Sequence, residues 1–154
     1  GGSDSHIGSD DARDEFAGTI GTPTTVVQGR ELSMDAILDG IRAGHVFVDT
    51  EGTRDRTLEV TASTDAAKAG MGDAIAVPAG THLHVAVRTG ALGGQTIAVT
   101  VDGKAMPAYA KTIPTDGALV FDWRSDGKPH WLRVDVKAAD GKLLILGNPI
   151  YVNY

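Results

Sequence analysis

The sequence contains no cysteine. Disulfides, thiolate metal ligands and cysteine nucleophiles are excluded. The absence leaves the compartment open. Basic residues are outnumbered, 14 Lys and Arg against 20 Asp and Glu, for a formal net charge of −6 and a pI near 5.2. No Lys/Arg-rich run interrupts this balance. Nucleic acid is therefore not expected as a partner, because phosphate binding needs a basic face, and anionic membrane surfaces are disfavoured on the same ground. No apolar run approaches the roughly 18 residues of a membrane-spanning helix, so membrane insertion is not expected. The opening Gly1-Gly2-Ser3 shows neither the basic n-region nor the apolar h-region of a signal peptide. Also missing are a Gly-x-Ser-x-Gly elbow, a phosphate-binding glycine-rich loop and zinc-finger spacing. These negatives leave the first six residues as the place where chemistry is expected.

The 154 residues suffice for one domain with a proper core, burying roughly 68–70% of the unfolded surface. Residues 7 to 22 are polar and glycine-punctuated; a short helical turn capped by Ser9 is predicted there, with Asp10 and Asp11 near its positive end. A short strand is predicted over Thr24 to Gln28. Ser33 to Ala43 reads as a helix: Ser33 is a good N-cap, Asp35 lies in the first turn and Gly44 is the C-terminal stop. Met34, Ile37, Leu38 and Ile41 follow the spacing of one buried face.

From residue 45 onward the period switches to two. Alternating runs occur at His45–Asp49, Leu58–Ala62, His82–Arg88, Ile97–Val101, Ala118–Trp123, Trp131–Val136 and Leu143–Leu146. Asp102-Gly103, Asp116-Gly117, Asp126-Gly127 and Asp140-Gly141 lie between them. Asp-Gly between alternating runs is a strong hairpin signal, since the tightest hairpin turn needs positive φ at both centre residues. A hairpin is predicted from Val136 to Leu143 across Asp140-Gly141. Pro107 and Pro114 mark the intervening stretch as an edge strand or long loop. The predicted class is mainly β: an immunoglobulin-like antiparallel sandwich over residues 55–154, preceded by one α-helix.

Asp4 and His6 stand two apart in Gly2-Ser3-Asp4-Ser5-His6, so an extended backbone aims both side chains to one side. A carboxylate and an imidazole converging in this way suit a divalent metal, although a catalytic site needs at least three protein ligands and an open position. This stretch resembles the last metal-binding motif of the PHP-domain (polymerase and histidinol phosphatase) metallohydrolases, most closely their carbaryl-hydrolase-like branch. The likeness continues in order through Thr24–Val27, Leu32–Ala43, Gly44-His45-Val46-Phe47-Val48, Trp131–Val136 and Gly147-Asn148-Pro149-Ile150-Tyr151. It implies that Asp4 and His6 ligate a divalent metal (zinc, manganese or iron) at the mouth of a distorted β/α barrel. Residues 1–54 would then be the tail of that barrel, and the other ligands, an opening His-x-His motif among them, would come from strands absent from this chain. The metals of such an enzyme activate water and polarise a phosphoryl or carbonyl oxygen of a small ester or phosphoester. This chain alone is expected to be inactive.

Other candidates have blander accounts. His82 and His84 share one face of a strand and read as surface histidines. His45 and Asp49, four apart, read as a polar face, with a lining role at the barrel mouth as the sharper alternative. Trp123, Trp131, Tyr109, Tyr151 and Tyr154 suggest a sugar platform, but two Trp, three Tyr and three Phe are few, and core packing is favoured. Asp10, Asp11, Asp14 and Glu15 lack the order of a calcium loop. A rival reading is a freestanding immunoglobulin-like binding or adhesion module without catalysis. The helix discriminates. A stripe buried on the sandwich favours a complete module; a stripe exposed, or packed across a second copy, implies a missing barrel.

Overall fold

The computed structural model describes residues 21–115 and 117–154. The Ser9 turn and the acidic run at 10–15 lie outside them. In chain order the elements are β1 (Thr24–Val27), α1 (Met34–Ala43), β2 (Val46–Asp49), β3 (Thr57–Ser63), β4 (Lys68–Gly70), β5 (Ala74–Ile75), β6 (His82–Gly90) and β7 (Thr96–Val101). There follow β8 (Lys104–Ala105), a 3-10 turn at Pro107–Tyr109, β9 (Lys111–Thr112), β10 (Ala118–Arg124), β11 (His130–Lys137), β12 (Leu143–Leu146) and β13 (Ile150–Val152).

Among the described residues the strands form two sheets. The smaller has four strands in the order β10-β6-β3-β4, and the larger has nine, with the path β1-β2-β12-β11-β13-β5 and β7 on the opposite edge of β11, carrying β8 and β9. Alternation explains the layering. Leu58, Val60 and Ala62 of β3, Leu83, Val85 and Val87 of β6, and Phe121 and Trp123 of β10 point one way. They meet Ile97 and Val99 of β7, Leu132, Val134 and Val136 of β11, and Phe47 of β2 in one core. The mainly β expectation holds. Full antiparallelism does not, because β13 pairs with β5 in parallel. The short strands β4, β5, β8, β9 and β13 had no legible alternation of their own; they are held by the edges of longer neighbours.

The turns follow their residues. β11 and β12 form the expected hairpin, with Lys137 opposite Leu143 and Gly141 at φ +86°. The tight turn with positive φ at both centre residues occurs elsewhere, at Asp102 (φ +48°) and Gly103 (φ +78°), joining β7 to β8. Pro107 opens the 3-10 turn, where its missing N–H costs nothing, and β9 lies at the edge of β7.

The helix forms where expected, and its caps explain why. The Ser33 side chain accepts the amide of Ala36 at 3.2 Å, Gly44 adopts the left-handed conformation (φ +73°), and Arg42 stands in the last turn. Its orientation leaves the apolar stripe off the sheets. The face turned to β1 is the small one, where Gly40 is buried; a Cβ there would lie 2.6 Å from the Gln28 carbonyl oxygen and 2.7 Å from Val27 Cγ1. The apolar stripe faces away: Leu32 is 96% exposed, Met34 78%, Ile41 52%, Leu38 40% and Ile37 37%. The helix lies so close to β1 that only small residues fit between them.

A tightly packed glycine and the exposed stripe set opposite expectations for substitution. Gly147 sits against the Val134 carbonyl, which an added Cβ would overlap, so Gly147→Ala costs about 1–3 kcal/mol or more. Leu38→Gln changes the stability of this chain by no more than about 0.5 kcal/mol, whereas Leu83→Ala in the core costs about 2–5 kcal/mol. Urea unfolding of the three variants checks this ordering; a Leu38→Gln cost near that of Leu83→Ala would place the stripe in a core.

Candidate functional site

Asp4 and His6 lie outside the described residues. Within the described residues no group of three or more His, Asp or Glu side chains is placed to hold a metal ion, so none of them supplies a metal centre on its own. No described helix is long and apolar enough to cross a membrane.

The seam between the helix unit and the rest of the larger sheet is the part of the structure nearest in sequence to the motif. β1 runs antiparallel to β2, and past its carboxyl end the Gln28 amide donates to the His45 carbonyl at 2.8 Å. A groove of about 540 Å³ opens there, lined by Gln28, Arg30, Glu31, one side of α1 from Asp35 to Ala43, and His45. His45 Nε2 stands 2.8 Å from Asp73 Oδ1, and the other oxygen of Asp73 accepts the Gly70 amide at 2.8 Å. Burial opposes ionisation of Asp73, but the His45 hydrogen bond and the Gly70 amide outweigh it and lower its pKa.

Asp49 does not join His45 in one site. It is 1% exposed and closes a loop instead. Its oxygens accept the amides of Glu51 (3.0 Å) and Thr53 (2.8 Å) and the Thr53 hydroxyl (2.8 Å), with Arg56 at 3.4 Å. Arg56 continues to Glu51 at 2.7 Å, and Glu51 to Lys142 at 2.5 Å. Burial alone would raise the Asp49 carboxyl; the two amides, the hydroxyl and the guanidinium together hold it below the ordinary 3.8. This is a structural network.

His82 and His84 project outward on β6, as expected of surface histidines. The carboxylate that the sequence did not offer comes from the neighbouring strand: Asp122 lies opposite His84 in register, its oxygen 2.5 Å from Nδ1. His82 lies opposite Arg124. The aromatic residues divide. Trp123 is in the core and Tyr109 stacks on Phe121 at 4.9 Å, as core packing requires. The same account fails for the other three. Trp131 lies opposite Tyr151 on the outer face of the larger sheet. The Arg133 guanidinium is 5.9 Å from the Trp131 ring, and the exposed Tyr154 stands edge-on to Tyr151.

Sequence reasoning passed over His130 altogether. Its Nδ1 is 2.5 Å from Asp102 and its Nε2 2.8 Å from Asp126. Both acids belong to Asp-Gly turns already legible in the sequence; the missing information was which strand end those turns flank.

Asp49→Ala strands the amides of Glu51 and Thr53 and is expected to cost about 1–3 kcal/mol. Because the folded pKa of Asp49 is depressed, its contribution is present above the ordinary carboxylate value and is lost as pH falls through the folded one. Unfolding curves across the acid range therefore show a shallower decline in the variant than in the parent chain. With this geometry in hand, comparison with known families, curated proteins and solved structures finds no match.

Proposed function

We propose that this chain is the C-terminal portion of a PHP-type, metal-dependent hydrolase acting on a small ester or phosphoester, inactive by itself. In this reading residues 1–54 carry the barrel's last metal-ligand pair and helix, and residues 55–154 form an immunoglobulin-like accessory sandwich. The observation that carries it is the exposed apolar face of α1. A capped helix that turns Met34, Ile37, Leu38 and Ile41 outward, with exposed Leu32 just before its cap, while docking through Gly40 has a second surface to cover. That helix stands in the ordered series of segments that resembles the family, between the Asp4/His6 motif and the Val-Phe-Val strand. A freestanding module would bury the stripe on its own sheets, and the stripe is not buried there.

The missing barrel is the partner this reading names, and Asp4 and His6 are the positions assigned to coordination. A bound divalent ion would supply water activation and a Lewis acid. No residue described here is given a proton-transfer role.

The test is expression of the gene with whatever lies upstream of Gly1, beside expression of this chain alone. The longer product is expected to copurify with divalent metal and to hydrolyse an aryl ester or p-nitrophenyl phosphate. Asp4→Ala and His6→Ala should lower both metal content and turnover, and Leu38→Gln should now destabilise the protein, since the stripe has become core. The short chain should show no turnover. Hydrolysis by the short chain, or a start codon directly before Gly1, would overturn the reading.

A further inference from the structure

His130 opens β11 at one end of the two-sheet body, and its surroundings are built around both ring nitrogens. Nδ1 meets Asp102, in the β7–β8 turn, at 2.5 Å, and Nε2 meets Asp126, in the β10–β11 turn, at 2.8 Å. A neutral imidazole donates through one nitrogen only, so satisfying two carboxylates at once takes the imidazolium. The acids lie on opposite edges of the ring, so the arrangement is a bridge across two turns. The ring itself stands edge-on to Trp123 at 5.4 Å and its side chain is 19% exposed.

We propose that His130, Asp102 and Asp126 form a proton-operated latch that fastens the β10–β11 turn to the β7–β8 turn and frees it when the imidazole loses its proton. The two halves are unequal. Each acid also accepts a backbone amide, Asp102 that of Trp131 at 3.0 Å and Asp126 that of Lys128 at 2.9 Å, but Asp102 stands closer to the ring, at 2.5 Å against 2.8 Å. The remaining proton of a neutral His130 therefore stays on Nδ1, and Asp126 is left facing a lone pair. Releasing Asp126 loosens residues 125–129, which carry several contacts. Gly127 packs on Ala79, the Ser125 hydroxyl donates to the Val77 carbonyl at 3.1 Å, and Asn153 donates to the Lys128 carbonyl at 3.3 Å. The 77–80 loop and the last strand are also tied to each other directly, through Asn153 and Val77 at 2.7 and 3.0 Å, so the latch acts on the tip of the turn at residues 126–128.

The charged groups facing the ring support the direction. From the β7–β8 side these are Asp102, with Lys104 beside it; from the β10–β11 side, Asp126 with Lys128. On β13 the residue opposite His130 is Val152, which does not titrate. Hydrogen bonds to Asp102 and then Asp126 raise the histidine above its ordinary 6.5, against a smaller opposing effect of burial. Both acids are lowered from 3.8, Asp102 first by His130 and Asp126 first by the Lys128 amide. The signs agree. The histidine's contribution is complete below its unfolded pKa and is lost as pH rises through the folded one, while the acids' contributions are lost only at the acid end.

The test is an NMR titration of this chain, following the His130 ring together with amide exchange at residues 126–128. The expected midpoint lies above the ordinary 6.5, and protection of the Gly127 and Lys128 amides, corrected for intrinsic rate, falls through that same midpoint. Asp126→Asn should shift the midpoint down and remove the pH dependence of protection while the β7–β11 amides stay protected. His130→Gln should give a turn already loose at low pH; if that variant does not fold, Asp126→Asn decides alone. A midpoint at or below 6.5, or protection at 126–128 that ignores the histidine's titration, would overturn the latch.

Discussion

The break in the last strand sets the position of everything around it. Between β12 and β13 the chain passes so close to the Val134 carbonyl that residue 147 has no room for a side chain. At that point the Gly147 amide donates to the buried Asp135 at 3.1 Å. Asn148 reaches the Gly44 carbonyl at 2.7 Å, and the Pro149 carbonyl accepts the Gly72 amide at 2.8 Å. Gly72 in turn (φ +90°) lies against the Ala43 and Gly44 backbones, where no Cβ would fit. Four stretches of main chain, at 43–44, 72, 134 and 147–149, thus meet, and Gly72 and Gly147 permit it. β12 is thereby aimed at β2 and β13 at β5, which joins the helix unit to the larger sheet.

This junction also explains the orientation of α1. The end of the helix is fixed by main-chain contacts at Gly44 and its middle by the close approach of Gly40 to Val27 and Gln28. Side-chain burial does not choose which face turns inward. The sequence carried both patterns at once, an apolar stripe at the spacing of a buried face and a glycine in mid-helix. Periodicity marked the stripe but did not say which face meets β1. Mid-helix glycine is unfavourable by roughly 1 kcal/mol relative to alanine, so its presence marks a close packing contact, and that was the legible clue to the true inner face. The helix itself, from Ser33 cap to Gly44 stop, was readable because capping is local.

The same division between local and non-local information runs through the sheets. Long alternating runs such as His82–Arg88 and Trp131–Val136 declared themselves, as did the Asp140-Gly141 hairpin, because a strand half-buried on one face must alternate. Two-residue strands such as β5 and β8 cannot alternate visibly; their pairing comes from register supplied by a neighbour. Side-chain partnerships across strands were illegible for the same reason. His84 finds Asp122 thirty-eight residues away because β10 lies beside β6 in one particular register. Trp131 and Tyr151 were assigned to the core by composition, yet their parity on β11 and β13 turns them outward.

The electrostatics bear on where chemistry can reside. Strongly perturbed acids often mark active sites, but ion-pair networks perturb them as well. Here each perturbed acid of the seam has a structural partner that accounts for it. Asp49 is depressed by the amides and hydroxyl of the loop it closes. Burial pushes Asp135 up, against the Arg133 guanidinium and the Gly147 amide that hold it. Asp73 is depressed by His45 and Gly70. These acids are spent on fastening loops to strands, with their oxygens already committed to donors. A metal-activated hydrolase needs carboxylate and imidazole groups left uncommitted and converging. The seam of this chain lacks such a set among the described residues. Among the described residues, then, the perturbed acids are accounted for by the loops and strands they fasten.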